Sequence, residues 1–257
     1  MPTNKNEFSG KTALVTGASR GIGAAAAVAL AKSGVARVVI QYNSFPEGAE
    51  ATLAEVKKAG AKADALQADL GTVEGIRQFT SALAATAPHV DILINNAGSL
   101  IKRSTLPEYT EALYDTIMNL NVKSVWFISK AVAPHMIAQK SGIIVNLSSI
   151  AARNGGGPGA TMYAAAKAAV SAMTKGMAKE LAPKGIRVNA ISPGTVDNHF
   201  HEVFSTREVL DSVVKMTPAG RLATNEDMAD AIVYLCSKGS DYVHGQTLEL
   251  NGGMFMI

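Results

Sequence analysis

The chain has 257 residues, 47% of them hydrophobic and 18% charged, which is enough apolar material for a full core and excludes intrinsic disorder. Basic residues number 24 against 21 acidic ones, scattered without a basic run, and aromatics are only 5%, so neither a nucleic-acid surface nor a base-stacking platform is expected. No apolar run reaches the roughly 20 residues of a membrane span. The first ten residues are polar and hold no secretory signal, and the lone Cys236 excludes an intrachain disulfide, so a reducing, cytoplasmic setting is expected.

Short β-branched runs alternate with longer Ala-rich stretches. Strands are predicted at 11–16, 37–42, 62–67, 90–94, 142–147, 186–191 and 247–250. Helices are predicted at 22–33, 46–59, 72–86, 110–139, 159–181 and 225–237, the first two closed by Gly34 and Gly60. The strands read as near-continuous hydrophobic runs, buried on both faces. The alternation therefore predicts an α/β domain over residues 1–257, a doubly wound parallel sheet flanked by helices. Residues 195–218 show no clear pattern; their length suits a flap over a site, with a plain surface excursion as the alternative.

The segment Thr16-Gly17-Ala18-Ser19-Arg20-Gly21-Ile22-Gly23 joins the first strand to the first helix. Glycines there allow positive φ and close backbone approach, and the free N–H groups of the helix start face an anion such as a diphosphate. The second strand ends Gln41-Tyr42-Asn43-Ser44, with no carboxylate before Glu47 to hold ribose hydroxyls. Arg20 can pair with a 2′-phosphate, with Asn43 and Ser44 adding hydrogen bonds, so NADP(H) is favoured over NAD(H).

Tyr163 and Lys167 stand four apart on a predicted helix and share a face, where an ammonium charge would lower the phenol from its ordinary value near 10. A tuned phenol exchanges protons with a carbonyl oxygen or an alcohol. Ser148 and Ser149 end the fifth strand, Asn95-Asn96-Ala97-Gly98 follow the fourth, and Ser192-Pro193-Gly194 follow the sixth. All these loops fall at the carboxyl edge of the sheet, where ligands of open α/β folds bind.

In this order, T-G-x-x-x-G-x-G, N-N-A-G, a serine ahead of Y-x-x-x-K, and P-G make the chain resemble the short-chain dehydrogenase/reductase family over essentially its whole length. The resemblance implies a single Rossmann-type domain with a seven-stranded parallel sheet, a nicotinamide cofactor, and interconversion of a carbonyl and an alcohol. It implies that Tyr163 is the general acid/base and Lys167 its helper and ribose ligand. Ser149 is the donor to the substrate oxygen, with Ser148 as the adjacent alternative. Asn121, rather than Asn119, is implied to hold a proton-relay water. By the same resemblance Asp69 and Leu70 lie beside the adenine, Asn96, Ala97 and Gly98 line the cofactor path, and Pro193, Gly194 and Val196 approach the nicotinamide. It also implies a homotetramer built on the helices near 110–139 and 159–181. Asn198 stands where family members often carry Thr, a departure that puts local cofactor geometry in doubt.

The stretches 154–160 and 192–201 are similar to segments of family members that reduce keto-uronates and related sugar acids, whereas the whole motif set also resembles 3-oxoacyl-acyl-carrier-protein reductases. A Gly-Gly-Gly-Pro-Gly loop leaves room beside the reacting carbon, and Asn198, His199 and His201 suit a hydroxylated small-molecule substrate. A carrier protein is acidic and would instead need a basic patch, for which Lys102, Arg103, Lys123 and Arg153 are candidates. A non-catalytic NADP-binding sensor would be expected to lack the tyrosine or the lysine. His199 and His201 offer no third ligand for a metal, Cys236 reads as a core residue, and Trp126 and Phe127 read as packing residues.

Overall fold

A computed structural model describes residues 7–256; the first six residues of the polar N-terminal stretch lie outside them. The chain runs β1 (Thr12–Val15), α1 (Gly21–Lys32), β2 (Arg37–Tyr42), α2 (Pro46–Lys58), β3 (Lys62–Gln67), α3 (Val73–Thr86), β4 (Ile92–Asn95), α4 (Glu111–Met118) and α5 (Ser124–Ala138). It continues with β5 (Gly142–Leu147), α6 (Ala151–Asn154), α7 (Thr161–Leu181), β6 (Ile186–Pro193), α8 (His199–Phe204), α9 (Arg207–Met216), α10 (Asn225–Cys236) and β7 (Thr247–Leu250). Every strand pairing is parallel, in the order β3-β2-β1-β4-β5-β6-β7. This is the doubly wound Rossmann arrangement, and the order reverses between β1 and β4.

Side chains of the central strands alternate between two cores, as the period of two requires. Ala13, Val15, Val38, Ile40, Ile92 and Ile94 pack with Leu30 of α1, Val56 of α2 and Ile232 of α10. Leu14, Val39, Leu93 and Ile144 pack with Phe79 of α3, Val132 and Met136 of α5, and Leu181 of α7. The edge strand β3 is the exception to the expected two-faced burial: its sequence Lys-Ala-Asp-Ala-Leu-Gln leaves both ends exposed. Threonines 72, 110, 206 and 224 cap the helices that follow them, each accepting a backbone N–H through its hydroxyl.

Three expectations need correction. The stretch 110–139 is not one helix: a π-helical turn, Asn119–Lys123, separates α4 from α5, and the Asn121 side chain inserts there to bind the Ile117 carbonyl at 2.9 Å. Residues 195–218 are not patternless but hold α8 and α9, begun by the caps Asn198 and Thr206; Leu210 is the buried residue of α9. Trp126 and Phe127 do not pack in the core; they stand 46% and 41% exposed on α5. Cys236 is buried as expected, and burial pushes its thiol up to about 12. No helix among the described residues is long and apolar enough to cross a membrane.

Arg187, buried at the start of β6, closes the other end of the molecule. Its guanidinium donates to the carbonyls of Leu235 (2.7 Å), Cys236 (3.3 Å) and Ser237 (3.1 Å) and to Ser240 Oγ (2.9 Å). These are carbonyls that the end of α10 would otherwise leave unpaired. Arg187→Met is expected to cost about 3 kcal/mol through these orphaned buried acceptors. Urea denaturation monitored by circular dichroism measures it.

Candidate active site

The glycine turn is braced from two sides. Thr16, buried at the end of β1, accepts N–H groups of Asn96 (3.0 Å) and Ala97 (2.9 Å) on its hydroxyl. The Asn96 amide returns the contact by donating to the carbonyls of Thr16 (2.8 Å) and Gly17 (2.9 Å). A Cβ on Gly23 would lie 2.4 Å from both Gly17 O and Asn96 Nδ2, so the turn closes only because that position is glycine. Gln41, inside β2, accepts the Gly17 N–H at 2.9 Å and donates to Ala68 O at 2.8 Å, linking three strand ends. Sequence reading passed over Thr16 and Gln41; the signal was a polar residue at the buried end of an apolar strand.

These residues fit a dinucleotide. The start of α1 has no side-chain cap and no acidic residue in its first turn, which leaves its N–H groups and positive dipole end for an anion. Gly17, Ser19, Arg20, Gly21, Ile22 and Gly23 form that turn, and Arg20 lies 3.9 Å over the Phe45 ring, just beyond Ser44. The amide of Asn43 donates to Asp69 Oδ1 at 3.4 Å, so the ends of β2 and β3 meet there. The Leu70 side chain packs in the core cluster with α3. Arg20, Gly21 and Ile22 also line a cleft of about 730 Å³, the far walls of which are Pro193, Gly194, Val196 and the lid helix α8.

Ser149, Tyr163 and Lys167 all line this cleft. Ser148 does not compete with Ser149: it is buried, with its hydroxyl 3.0 Å from Lys167 O and 2.7 Å from Ser171 Oγ, and it holds β5 to α7. Asn119 is drawn away to Gly71 O at 3.2 Å. Asn121 is fully buried and binds Ser99 from both sides, donating to its carbonyl at 2.9 Å and accepting its N–H at 3.2 Å. Gly98 makes the centre possible: a Cβ there would lie 2.7 Å from both Asn121 Oδ1 and Lys167 Nζ.

Lys167 is buried and its ammonium donates to Leu147 O at 2.9 Å, 5.6 Å from the centre of the Tyr163 ring. Desolvation lowers it to about 8, so it keeps most of its charge at neutral pH. The expected lowering of Tyr163 is not what the free chain shows. Burial pushes the phenol up to about 12, and the neighbouring Ser149 hydroxyl pulls the other way. The lid contributes to that burial, since the Phe200 ring lies 5.8 Å from the Tyr163 ring. His201, also on the lid, is lowered to about 4 by burial and by the Arg103 charge, so it is neutral at pH 7. Asn198 caps α8 through the Phe200 N–H and donates to Asn225 Oδ1 at 3.0 Å.

Of the candidate carrier-protein contacts, Arg153 is paired with Glu249 at 2.8 Å and Arg103 is engaged inside the cleft wall. Among the described residues no group of three His, Cys, Asp or Glu side chains is placed to hold a metal ion.

The fold, the braced glycine turn and the Ser149–Tyr163–Lys167 centre define a nucleotide-dependent oxidoreductase, and the chain belongs to the short-chain dehydrogenase/reductase family. The family model described as enoyl-(acyl carrier protein) reductase matches residues 17–255. The chain is 37% identical over 246 residues to a 3-oxoacyl-acyl-carrier-protein reductase of Staphylococcus epidermidis, covering 96% of this chain and 99% of that one. It is 39% identical over 246 residues to 2-dehydro-3-deoxy-D-gluconate 5-dehydrogenase of Escherichia coli, covering 95% of each. A gluconate 5-dehydrogenase of Burkholderia cenocepacia, solved with NADP and tartrate, superposes with a TM-score of 0.87 at 33% identity, covering 97% of this chain and 98% of that one. The protein is thus an NAD(P)-dependent enzyme acting on CH–OH or carbonyl groups.

Replacing Gly23 by Ala is expected to weaken dinucleotide binding more than tenfold and to cost about 1–3 kcal/mol of stability, because the clash falls on the Gly17 carbonyl and on the Asn96 brace. Calorimetric titration with NADPH alongside circular dichroism separates the two effects.

Proposed function

We propose that the protein reduces the carbonyl of a small anionic sugar-derived acid to a secondary alcohol with NADPH. The observation that carries this reading is the polarity of the cleft: the Arg103 charge and the polar side chains of His199, His201, Asn154 and Asn198 line it beside Ser149 and Tyr163, and among the described residues no Asp or Glu does. Such a wall favours a carboxylate and hydroxyls. The sugar-acid relatives support the same class. Gly156 and Gly157 open the wall next to the reacting centre.

A nicotinamide held in this cleft would supply hydride chemistry at the substrate carbon. The chain's own residues handle the oxygen. Ser149 Oγ–H donates to the carbonyl, and Tyr163, protonated throughout the neutral range, delivers the proton to the developing alkoxide. The Lys167 ammonium stabilises the phenolate left behind and would hold the ribose hydroxyls of the cofactor. Asn121 orders the floor through Ser99. Arg20, with Asn43 and Ser44, would take the 2′-phosphate; Glu47, the first carboxylate after β2, lies on α2 beyond that position. The exposed aromatics Tyr114, Trp126 and Phe127 of α4 and α5 support self-association through these helices into a tetramer.

A second reading, reduction of a 3-oxoacyl chain on a carrier protein, draws on Val203, Phe204, Val213 and Met216, which give the cleft an apolar side. Keto-uronates, ketogluconates and an acetoacetyl thioester, each tested with NADPH and NADH, separate the two. Turnover of the sugar acids with NADPH, falling at least a thousandfold in Tyr163→Phe, is the expected result. Turnover of the thioester alone overturns it. Arg20→Ala is expected to lower kcat/KM about 10- to 100-fold with NADPH and to leave NADH nearly unchanged, the worth of one charge-assisted phosphate contact.

Lys167 acts in its charged form and is lowered to about 8, so the reduction rate is expected to hold from pH 6 to about 7.5 and to fall above about 8. Initial rates across that range test the sign; a rate that climbs through pH 8 contradicts it.

A further inference from the structure

We propose that Arg103 is a positioning residue that latches the lid helix α8 over Tyr163. Its guanidinium joins three separate pieces of the cleft. Nη1 donates to Pro158 O at 2.7 Å, while Nε and Nη2 both donate to Phe204 O, at 3.1 and 3.0 Å. Phe204 is the last residue of α8, so the planar fork caps the negative end of that helix and adds its charge to the helix dipole. The other end of α8 is held by Asn198 against Asn225. A six-residue helix is thereby clamped at both ends.

The clamp reaches the chemistry through rings. Phe204 packs edge-on against Phe200 with centroids 4.9 Å apart, and Phe200 lies against Tyr163. Arg103 thus holds in place the aromatic pair that keeps water from the phenol. On its other side it fixes the glycine-rich loop. Ser104 N–H donates to Gly159 O at 3.2 Å, and a Cβ on Gly159, at φ 73°, would lie 3.0 Å from Arg103 Cβ. That contact explains why the loop carries glycine at this point, beyond the need for open space. The segment bearing Arg103 is itself held under strain: Ile101, β-branched, sits at φ 61°, between the Asn121 contacts of Ser99 and the latch.

Three of the five guanidinium N–H groups are spent on carbonyls of the lid and loop. The latch is therefore distinct from a role as substrate ligand, and the two give different results. The structural arm of the test needs no substrate; the kinetic arm rests on the reading of Tyr163 as proton donor. Amide hydrogen exchange is measured on wild type, Arg103→Ala and Arg103→Lys, with kcat, KM and the pH profile measured on the same proteins. Exchange across residues 199–205 is expected to rise at least tenfold in the Ala variant and a few-fold in the Lys variant, with the sheet unchanged. The alkaline limb set by Lys167 should stay near 8 in every variant, while kcat falls in the Ala variant and recovers in part in the Lys variant. Unchanged lid exchange in both variants overturns the latch, even if KM for an acid substrate rises, because Arg103 would then be a ligand only. Faster exchange spread evenly over the Lys variant also overturns it. Faster lid exchange without turnover of any sugar acid leaves the latch standing and removes the substrate reading.

Discussion

A single buried ammonium constrains the centre of this molecule. Lys167 is 4% exposed and has one carbonyl, Leu147 O, as its fixed acceptor. A charge so placed is tolerated only where the surroundings are polar and close. The chain meets that demand with backbone and small residues: Gly98 carries no Cβ, which lets the β4 loop approach the amine, Ser148 ties the Lys167 turn of α7 to the end of β5, and the π turn brings the buried Asn121 alongside. The same amine is four residues from Tyr163, so the position of the phenol follows from the position of the charge. The ends of β4 and β5, the helix α7 and the π turn thus meet around one buried cation.

The lid answers to a different demand. Its apolar side, with Phe200, Val203 and Phe204 on α8 and Val213 and Met216 on α9, closes over a polar floor. Arg103 stands where the two meet. Burial moves the phenol above and His201 below their ordinary values, so at neutral pH the free chain presents a protonated Tyr163, a neutral His201 and the Arg103 charge on the substrate side. This arrangement suits reduction of an anionic ketone on the proposed reading, and it couples the fit of the lid to the acidity of the proton donor.

The sheet was legible in the sequence because strands such as Val-Val-Ile within β2 and Ile-Leu-Ile within β4 can only be buried on both faces, and because threonine and glycine mark the helix ends. The glycine turn, Ser149, Tyr163 and Lys167 were legible because short-range spacing carries them to one sheet edge. What spacing cannot carry is environment. Four residues apart says that an amine and a phenol share a face, but the burial that raises Tyr163 depends on what packs around it, including Phe200 from far along the chain. Arg103 was legible only as one basic residue among several; its partners Pro158 and Phe204 are 55 and 101 positions away. Of the lid helices, α8 has six residues, too few to show a period, whereas the stripe of α9 was there to be read and was passed over. Trp126 and Phe127 were misread because aromatic residues on a helix do not say which neighbour covers them.

The central claim is that the cleft takes an anionic sugar-derived acid with its reacting oxygen between Ser149 and Tyr163. A crystal structure of the chain with NADP⁺ and a bound sugar acid tests it most directly. The account expects the reacting oxygen within hydrogen-bond distance of both Ser149 Oγ and the Tyr163 phenol, the carboxylate on the Arg103 and Asn154 side, and the adenosine 2′-phosphate against Arg20. A carboxylate turned away from that wall, or a reacting oxygen out of reach of Tyr163, would contradict it.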